Sequence, residues 1–419
     1  MDNLLRERIY NNTLVPALEA DTQFFLRRIA GEHDLAFEEI RMLARAARDL
    51  EMWRETPLAT RWQEWEEQVQ PNSPDRKREL FQRLENHLQD LRSQETVYPT
   101  EPLRGLTHTK PQLFERPAPA KVFTLCPFFS KDANCCGLHT IEAASGCALG
   151  CSFCTVSASL GDTVEFSADL AERLAEVELD PDHFYHVSTG QFSDSLVWGN
   201  RYGILDALFA FARTHPNVQL ELKTKSDRID YLLSHEIPDN VLCTWLINTD
   251  TIIRNEEHGT ATLRGRLQSA RSLAHRGCRI GFHINPVIRY RGWGEEYPSL
   301  VGQLMALFSP DEVDLISLGA ISFTPAAVKE IRRRGGESKV LQMSLVEDPQ
   351  GKLTYPLDTR VELYSTLYRA MQPWQRKVFV FLCMETDPVW QAVFGEAISV
   401  HDELERLFYS HHRSAISAA

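Results

Sequence analysis

The stretch HTIEAASGCALGCSFCTV, residues 139–156, joins a short β-rich run to three closely spaced cysteines. HTIEAAS is predicted to be a strand, and Cys147, Cys151 and Cys154 follow it directly with the spacing C-x3-C-x2-C. The serine, glycine and alanine residues around them permit a tight loop. We therefore expect three thiolates to converge on one centre, on the loop after the first strand of a sheet.

Short β-rich runs and helical patterns alternate from this stretch onwards. The predicted strands cover residues 139–145, 183–189, 218–224, 241–247, 278–288 and 313–321. Repeated strand–helix units predict right-handed crossovers and a parallel sheet that curls toward a barrel. The units are too few for a closed eightfold barrel, so the sequence predicts an α/β fold built on a partial (β/α)6 TIM-like barrel. In such folds the site lies at the carboxyl ends of the strands.

The regions that flank the predicted barrel, residues 138–336, differ from it in composition. Residues 1–96 carry apolar side chains at helical spacing and are predicted to form a helical N-terminal region. Residues 97–137 are rich in proline and are predicted to be a connecting segment. Residues 337–419 are predicted to be a small α+β C-terminal extension, because helical patterns flank the β-rich run KVFVFLCME.

The 419-residue chain is acidic, with a formal net charge of −13. This charge argues against loose, charge-driven binding of nucleic acid, although positive residues are frequent between Lys223 and Arg291. Nine cysteines, six of them between Cys126 and Cys154, do not form the pattern of a secreted disulfide framework. The N-terminus is charged and no long apolar run is present, so we expect a cytoplasmic protein without a membrane segment.

Three interpretations of the cysteine loop differ in the ligands that they need. A structural zinc site needs four ligands, and no second C-x2-C or H-x3-H pair follows the loop. Chance clustering of buried cysteines is a second interpretation. A [4Fe–4S] cluster held by three thiolates leaves one iron open for a small molecule to chelate. The spacing C-x3-C-x-aromatic-C, with Phe153 in the aromatic position, favours the cluster and resembles the motif of the radical S-adenosylmethionine (SAM) superfamily.

That resemblance implies two cofactors, a [4Fe–4S] cluster and SAM. It implies that the methionyl amine and carboxylate of SAM chelate the open iron, and that an electron donor such as a flavodoxin or ferredoxin drives cleavage to a 5′-deoxyadenosyl radical. Lys225, or alternatively Lys223, is expected to pair with the carboxylate, and Asn248 to hydrogen-bond the ribose. The residues expected to bind SAM are Phe153, Gly190, Ser193, Lys225 and Asn248.

A longer resemblance extends from about Ser145 to Arg334, and more faintly to Gly395. It rests on LKTKSDRIDYLL, INTDTIIRNEEHGTATLRGRLQSA, RIGFHINPVIRYRGWGEEY and SLGAISFTPAAVKEIRRR. In these stretches the chain resembles the spore photoproduct lyase family, radical SAM enzymes that repair DNA by splitting a thymine dimer left by ultraviolet light. The resemblance implies damaged DNA as a candidate substrate. Arg289, Arg291, Trp293 and Tyr297 interleave cations with aromatic rings, as a surface that clamps a strand would, and Thr260 is a suitable helix N-cap.

The chain departs from this family at two places. Gln191 stands where the family has a cysteine that donates a hydrogen atom to the substrate radical, and Phe153 and Thr155 stand where it has tyrosines. The expected catalytic residues are therefore Gln191 and Tyr297. A different substrate such as a nucleotide, peptide or metabolite stays open, and so does a non-catalytic iron–sulfur sensor. Five of the six cysteines outside the loop are candidates for a replacement donor: Cys126, Cys135, Cys136, Cys243 and Cys278. The first three are also candidates for a second metal site, whereas Cys383 lies in an apolar run and is expected in the core.

Overall fold

The computed structural model describes residues 10–70, 74–105, 111–119, 121–127, 129–130, 133–154, 163–348 and 350–418. In the described N-terminal part, four α-helices pack together: α1 (Ala20–Glu32), α2 (Phe37–Met52), α3 (Leu58–Gln68) and α4 (Arg76–Ser93). Apolar side chains recur every three to four residues on α2, where Ile40, Leu43 and Ala47 are buried. Trp62 of α3 is fully buried and meets the ring of Phe81 edge-on, with centroids 5.7 Å apart.

The strands of the rest of the chain lie in four sheets. Among the described residues they are β1 (Gln112–Arg116), β2 (Phe123–Leu125), β3 (His139–Ile141), β4 (Ala144–Ser145), β5 (Gly150–Cys151), β6 (Thr163–Ser167), β7 (Tyr185–Thr189), β8 (Val218–Thr224), β9 (Val241–Ile247), β10 (Glu257–His258), β11 (Arg279–Val287), β12 (Val313–Ala320), β13 (Ser322–Phe323), β14 (Val346–Glu347), β15 (Leu353–Thr354) and β16 (Phe379–Leu382).

Helices alternate with these strands and continue to the C-terminus. They are α5 (Leu170–Ala175), α6 (Ile204–Thr214), α7 (Asp230–Ser234), α8 (Asp250–Glu256), α9 (Leu263–Ala274), α10 (Trp293–Leu307), α11 (Pro325–Arg334), α12 (Leu357–Ala370), α13 (Asp387–Phe394) and α14 (Val400–Ala418). None of the helices in the described residues is both long enough and apolar enough to cross a membrane.

The main sheet has eight strands in the described residues, in the order β16-β12-β11-β9-β8-β7-β3-β2. All neighbouring pairs are parallel except the antiparallel edge pair β2 and β3. All six predicted strands are present, and the α/β class with repeated strand–helix units is confirmed. A further parallel strand, β16, comes from the predicted C-terminal extension and pairs Phe379 with Leu315 of β12.

The two ends of this open sheet approach each other. Asn134, in the connection between β2 and β3, donates its backbone N–H to the carbonyl oxygen of Glu385 at 2.9 Å, and Glu385 follows β16. Since β2 and β16 are the opposite edges of the sheet, this bond crosses the gap between them. We call this junction, formed by the β2–β3 connection and the segment after β16, the seam of the sheet.

The helical N-terminal part is fastened to the barrel by an ion pair that crosses between them. Asp49 of α2 is buried and accepts hydrogen bonds from Arg332 of α11 at 2.7 and 2.9 Å. Arg92 of α4 donates to the same carboxylate at 3.0 Å. A buried carboxylate shared by two guanidinium groups fixes α2 and α4 against α11.

The helix that follows β10 begins later than the sequence predicts. Thr262, not Thr260, is the N-cap of α9, because its side-chain oxygen accepts the backbone N–H of Gly265 at 3.1 Å. The hydroxyl of Thr260 instead donates to the carbonyl oxygen of Glu257 at 3.0 Å. The predicted cap at Thr260 is therefore wrong by two residues, since two threonines at this spacing are both plausible caps from sequence.

Replacement of this cap gives a first prediction. We expect Thr262→Ala to lower the free energy of unfolding by about 1 kcal/mol, because one backbone donor of the first turn loses its acceptor. Urea unfolding followed by circular dichroism measures the change. Ser272→Ala, on the exposed side of the same helix, is the control and should change the stability by less than about 0.5 kcal/mol. An equal effect of both variants would contradict the capping role.

Candidate iron–sulfur and SAM site

A cavity of about 1060 Å³ opens at the carboxyl ends of the parallel strands. It contains all three cysteines of the motif and most of the residues predicted to bind SAM. The predicted residues that line it are Cys147, Cys151, Phe153, Cys154, Gly190, Gln191, Ser193 and Lys225. The two remaining ones, Asn248 and Tyr297, are not among the lining residues. The fold therefore brings the cysteine loop and the ends of β7 and β8 to one place, as parallel strands require.

The cysteine loop is held in place by β10. Cys151 in β5 pairs with Glu257 in β10, and the backbone N–H of Ser152 donates to the Glu256 carbonyl oxygen at 2.9 Å. The backbone N–H of Cys154 donates to the Cys151 carbonyl oxygen at 3.1 Å, which closes the turn. All three cysteines of the loop line the cavity. Thr155, the second tyrosine position of the family, lies outside the described residues.

Burial disfavours the thiolate form of two motif cysteines, Cys147 and Cys151. Burial raises the pKa of Cys151 to about 12, although the nearby Lys225 ammonium acts in the opposite direction. Burial also raises the pKa of Cys147 well above its ordinary value, and the charge of Asp194 adds to this rise. Cysteine binds metal as the thiolate, so loading of the site releases these protons.

The donor set fits a polynuclear cluster better than a single ion. Within the described residues, only Glu32, His33 and Glu66 place three candidate ligand atoms all within 4.8 Å of one another. The three motif sulfurs are therefore spread more widely than a single zinc ion requires. Thiolate is the ligand type that iron–sulfur clusters use, and a cluster is larger than a single ion. Cys147, Cys151 and Cys154 would hold it.

A buried ion triad stands beside the cysteine loop. The Glu257 carboxylate accepts from the Lys225 ammonium at 2.8 Å and from the Arg266 guanidinium at 2.6 Å. Lys225 also lies 3.5 Å from the Cys151 sulfur and 4.5 Å from the centre of the Phe153 ring. Arg266 is fully buried and donates further to the carbonyl oxygens of Leu246 and Ala261 at 2.7 and 2.9 Å. The triad fixes β10 and places one positive charge against the thiols.

The neighbouring Glu256 connects the cysteine loop to both flanking regions. Its buried carboxylate accepts from the hydroxyl of Tyr98 at 2.8 Å, the backbone N–H of Lys339 at 2.9 Å and the hydroxyl of Ser338 at 2.8 Å. The hydroxyl of Ser152 donates to it as well. Burial raises the pKa of this carboxyl, against the effect of the hydrogen bonds from Ser152 and its other partners.

Gly190 is at a position that no other residue fits. Its φ of +89° is in the region that favours glycine, and an added Cβ would lie 2.8 Å from the Ser195 oxygen and 2.9 Å from the Lys223 carbonyl oxygen. Glycine at this position therefore allows Ser195 and the Lys223 backbone to pack closely, and Gly190 lines the cavity. Gln191 follows it directly and lines the same wall.

Sequence analysis missed a second buried charge network on the cavity floor. The Glu221 carboxylate contacts the Lys223 ammonium at 3.2 Å, His186 at 2.9 Å and His283 at 2.6 Å. The hydroxyl of Thr244 donates to it at 2.8 Å. Burial acts to raise the Glu221 pKa, but the charges of Lys223 and His283 lower it overall. The signal in the sequence was polar residues inside otherwise apolar strands, which marks an inward-facing polar group.

Asn248 and Tyr297 bond to each other away from the cavity wall. The Tyr297 hydroxyl donates to the Asn248 side-chain oxygen at 2.8 Å and accepts the backbone N–H of Ile288 at 2.8 Å. The Asn248 amide donates to the Pro286 carbonyl oxygen at 2.8 Å. Both side chains are fully buried. Their roles toward ribose and substrate stay predictions, and each would require this pair to open.

The expected strand-clamping surface around Tyr297 is not formed. Trp293 is only 8% exposed and Tyr297 is fully buried, so neither ring offers a face to an outside ligand. Arg289 and Arg291 are exposed, and they lie 3.7 Å from Glu362 and 3.3 Å from Glu95. The interleaved pattern arises because the aromatic residues fill the core beneath α10 while the arginines face solvent.

A curled parallel sheet with three cysteines at its carboxyl edge is the radical SAM type of barrel. A family model described as spore photoproduct lyase matches residues 131–354, which is more than half of the chain. The chain belongs to the spore photoproduct lyase family.

Curated relatives match this chain over part of their length. The spore photoproduct lyase of Clostridium acetobutylicum is 25% identical over 169 residues, which cover 39% of this chain and 50% of that protein. The spore photoproduct lyase of Bacillus subtilis is 30% identical over 124 residues, which cover 29% of this chain and 36% of that protein. The chain therefore spans about half the length of these relatives or less.

Solved structures share the fold at low identity. A spore photoproduct lyase complexed with dinucleoside spore photoproduct has a TM-score of 0.56 and 20% identity, covering 64% of this chain and 82% of that one. A mutant spore photoproduct lyase with bound AdoMet and dinucleoside spore photoproduct has a TM-score of 0.55 and 22% identity, covering 64% and 81%. The α/β fold of this chain is therefore shared with these solved structures over most of their length.

Proposed function

We propose that this protein is a radical SAM enzyme that binds a [4Fe–4S] cluster through Cys147, Cys151 and Cys154. The observation that carries the proposal is the convergence of these three thiols on the wall of one cavity, at the carboxyl edge of a parallel sheet. The chemistry that such a cluster supplies when bound is one-electron cleavage of the SAM sulfonium, which yields a radical able to abstract hydrogen. A flavodoxin or ferredoxin is the proposed electron donor.

The chain's own residues prepare the cavity for SAM. Gly190 lines the cavity and has no side chain, so its backbone can come close to the methionyl amine. Lys225 supplies a positive charge that is already held by Glu257. A SAM carboxylate at Lys225 would share the ammonium with Glu257, and Ser193 offers a further hydroxyl on the same wall. Phe153 covers the Lys225 side chain and limits its access to water.

Two substrate classes fit this proposal. The family and the dinucleoside ligand in its solved members favour a thymine photoproduct in damaged DNA. Gln191 favours a different substrate, since it lines the cavity where the resemblance places a hydrogen-donating cysteine, and an amide has no weak S–H bond to give. The lack of an exposed aromatic clamp at Trp293 and Tyr297 favours the same alternative.

SAM cleavage by the reconstituted protein tests the proposal. Anaerobic protein loaded with iron and sulfide and reduced with dithionite should convert SAM to 5′-deoxyadenosine and methionine. Loaded protein that forms neither product would leave only the iron–sulfur sensor. Binding to ultraviolet-irradiated duplex DNA, compared with the same duplex before irradiation at several salt concentrations, separates the substrate classes. Equal affinity for both duplexes would exclude specific recognition of the damaged base.

The missing donor gives a second prediction. We expect that Gln191→Cys alone does not confer repair of the thymine photoproduct, because the tyrosine position at Phe153 is also changed. Repair is measured as loss of the thymine photoproduct, with recovery of thymidine, in digests of irradiated DNA treated with the anaerobic, reduced variant. The wild-type protein is the control, and its yield of 5′-deoxyadenosine shows that the cluster is loaded. Efficient repair by this single variant would mean that the pocket already fits the photoproduct.

A further inference from the structure

Four cysteines outside the motif meet at the seam of the sheet. We call them the seam cysteines: Cys126, Cys135, Cys136 and Cys383. Cys126 follows β2 and Cys383 follows β16, so they come from opposite edges of the main sheet. Cys135 and Cys136 adjoin Asn134, whose backbone bond to Glu385 closes the seam. All four line the cavity that also contains the cysteine motif.

Backbone hydrogen bonds hold three of the seam cysteines, Cys126, Cys136 and Cys383, in place. The N–H of Cys126 donates to the Leu138 carbonyl oxygen at 2.8 Å, which holds it beside the chain that leads from Cys136 into β3. The N–H of Cys383 donates to the Leu318 carbonyl oxygen at 2.7 Å, which extends the pairing of β16 with β12. The His401 ring lies 3.3 Å from the carbonyl oxygen of Cys136 and adds a contact from α14.

The thiols of the seam interact with one another and with a buried cation. Cys136 hydrogen-bonds the Cys135 sulfur, which lowers the Cys135 pKa to about 6. Burial raises the pKa of Cys383 to about 12, opposed by the Lys223 ammonium and reinforced by Cys135 and Cys126. The hydrogen bond with Cys135 and burial raise the pKa of Cys136, and the Lys223 ammonium acts to lower it. Cys136 and Cys383 are therefore close to the Lys223 ammonium, Cys135 is hydrogen-bonded to Cys136, and Cys126 and Cys135 both act on Cys383.

We propose that the seam cysteines bind a second iron–sulfur cluster, separate from the one at the motif. A hydrogen donor would need one thiol, whereas four thiols from three chain segments make a complete set of ligands for such a cluster. In the part of the chain that the structure describes, no three seam sulfurs lie within 4.8 Å of one another, so the set is too wide for a single zinc ion. Lys223, which pairs with Glu221, is the cation close to Cys136 and Cys383.

The second cluster differs from the first in its ligation. Four protein thiolates leave no iron open, so SAM cannot chelate it, and fully ligated clusters mostly transfer electrons. Its position also links the two edges of the sheet, so metal binding stabilises the closed seam. The inference goes beyond the proposed SAM chemistry and does not depend on it, because it concerns different ligands.

Iron and sulfide content of variants tests the second cluster. The full chain with Cys147→Ala, Cys151→Ala and Cys154→Ala should still bind on the order of two to four irons and as many sulfides after anaerobic reconstitution. It should also show the paramagnetic resonance signal of a reduced cluster. Wild-type protein should bind more iron than the about four that a single [4Fe–4S] cluster accounts for.

Replacement of the seam cysteines provides the converse test. Cys126→Ser and Cys383→Ser, each alone in the background of the triple variant, should lose the residual iron and its signal. Cys278→Ser is the matched control, since Cys278 lies outside the cavity wall, and should keep both. A triple variant that binds no iron, that binds zinc instead, or that keeps its iron after Cys383→Ser would overturn the proposal. Failure of SAM cleavage would not affect it.

Discussion

Replacement of Cys151 by alanine is expected to remove the motif cluster and to reduce SAM cleavage by at least about 100-fold, to background. Cys151 is the most enclosed of the three motif thiols and is the one in contact with Lys225. A [4Fe–4S] cluster has four irons, and three protein thiolates leave one of them open. Without Cys151 only two thiolates remain, which leaves two irons without a protein ligand. Reconstituted protein is assayed for 5′-deoxyadenosine under reducing conditions, and visible absorbance and iron content are compared with the wild type.

The control for this variant is Cys243→Ala, which replaces a fully buried cysteine in β9 away from the cavity. It should lose stability, because a buried side chain is truncated, but it should keep the cluster and the turnover. Circular dichroism at equal temperature verifies that both variants are folded. Turnover retained by Cys151→Ala would show that the motif assignment is wrong. Iron that persists in Cys151→Ala without turnover is expected if the seam cysteines bind their own cluster.

The second large effect is expected at the buried triad. Glu257→Gln should lower the free energy of unfolding by about 3–5 kcal/mol, because Lys225 and Arg266 stay buried without a counter-charge. The side chains of Glu257 and Arg266 are 1% and 0% exposed, so water cannot replace the lost charge. Urea unfolding of the metal-free protein measures the change without a contribution from the cluster. Glu176→Gln, which breaks an exposed ion pair with Arg173, should cost less than about 1 kcal/mol.

The effect of Glu257→Gln should depend on pH in a defined direction. Burial acts to raise the Glu257 pKa, but Arg266 and Lys225 lower it overall below its ordinary value. A lowered pKa in the folded state gives stability that is complete above the unfolded pKa of about 4.3 and is lost as the pH falls through the folded value. The difference between wild type and variant should therefore be constant from about pH 6 to 8 and shrink below about pH 4. A difference that grows on acidification would contradict this assignment.

The sequence predicted the parts of the site that depend on local order along the chain. The strands could be predicted because runs of β-branched and aromatic residues alternate with stretches of helical periodicity. The carboxyl ends of parallel strands share one edge of the sheet, which predicts where the site lies. That rule placed Gly190 and Lys225 beside the cysteine loop, and the family resemblance added Gln191. The motif spacing predicted three converging thiols, and the cavity wall contains all three.

The remaining parts depend on contacts between distant residues. Glu221 meets His186 and His283, and nothing local to any of these residues indicates the other two. The run around Phe379 was predicted to be a strand, but its neighbour in the sheet, β12, lies far away along the chain and is chosen by packing. Asn248 was expected at the ribose and Tyr297 on a strand-clamping surface, and the bond between their side chains could not be predicted from either position. Hydrogen-bond partners of buried polar groups are set by the tertiary fold.

Glu256 has a consequence for any attempt to isolate the barrel. Its carboxylate is shared by Tyr98 from the connecting segment, Ser338 and Lys339 from the C-terminal extension, and Ser152 beside the cysteines. A fragment trimmed to residues 138–336 would lose three of the four residues that donate to this carboxylate and keep only Ser152. Excision would thus disturb the cysteine loop, because Ser152 of that loop is bonded to Glu256. The barrel is therefore a poor candidate for transfer into another protein.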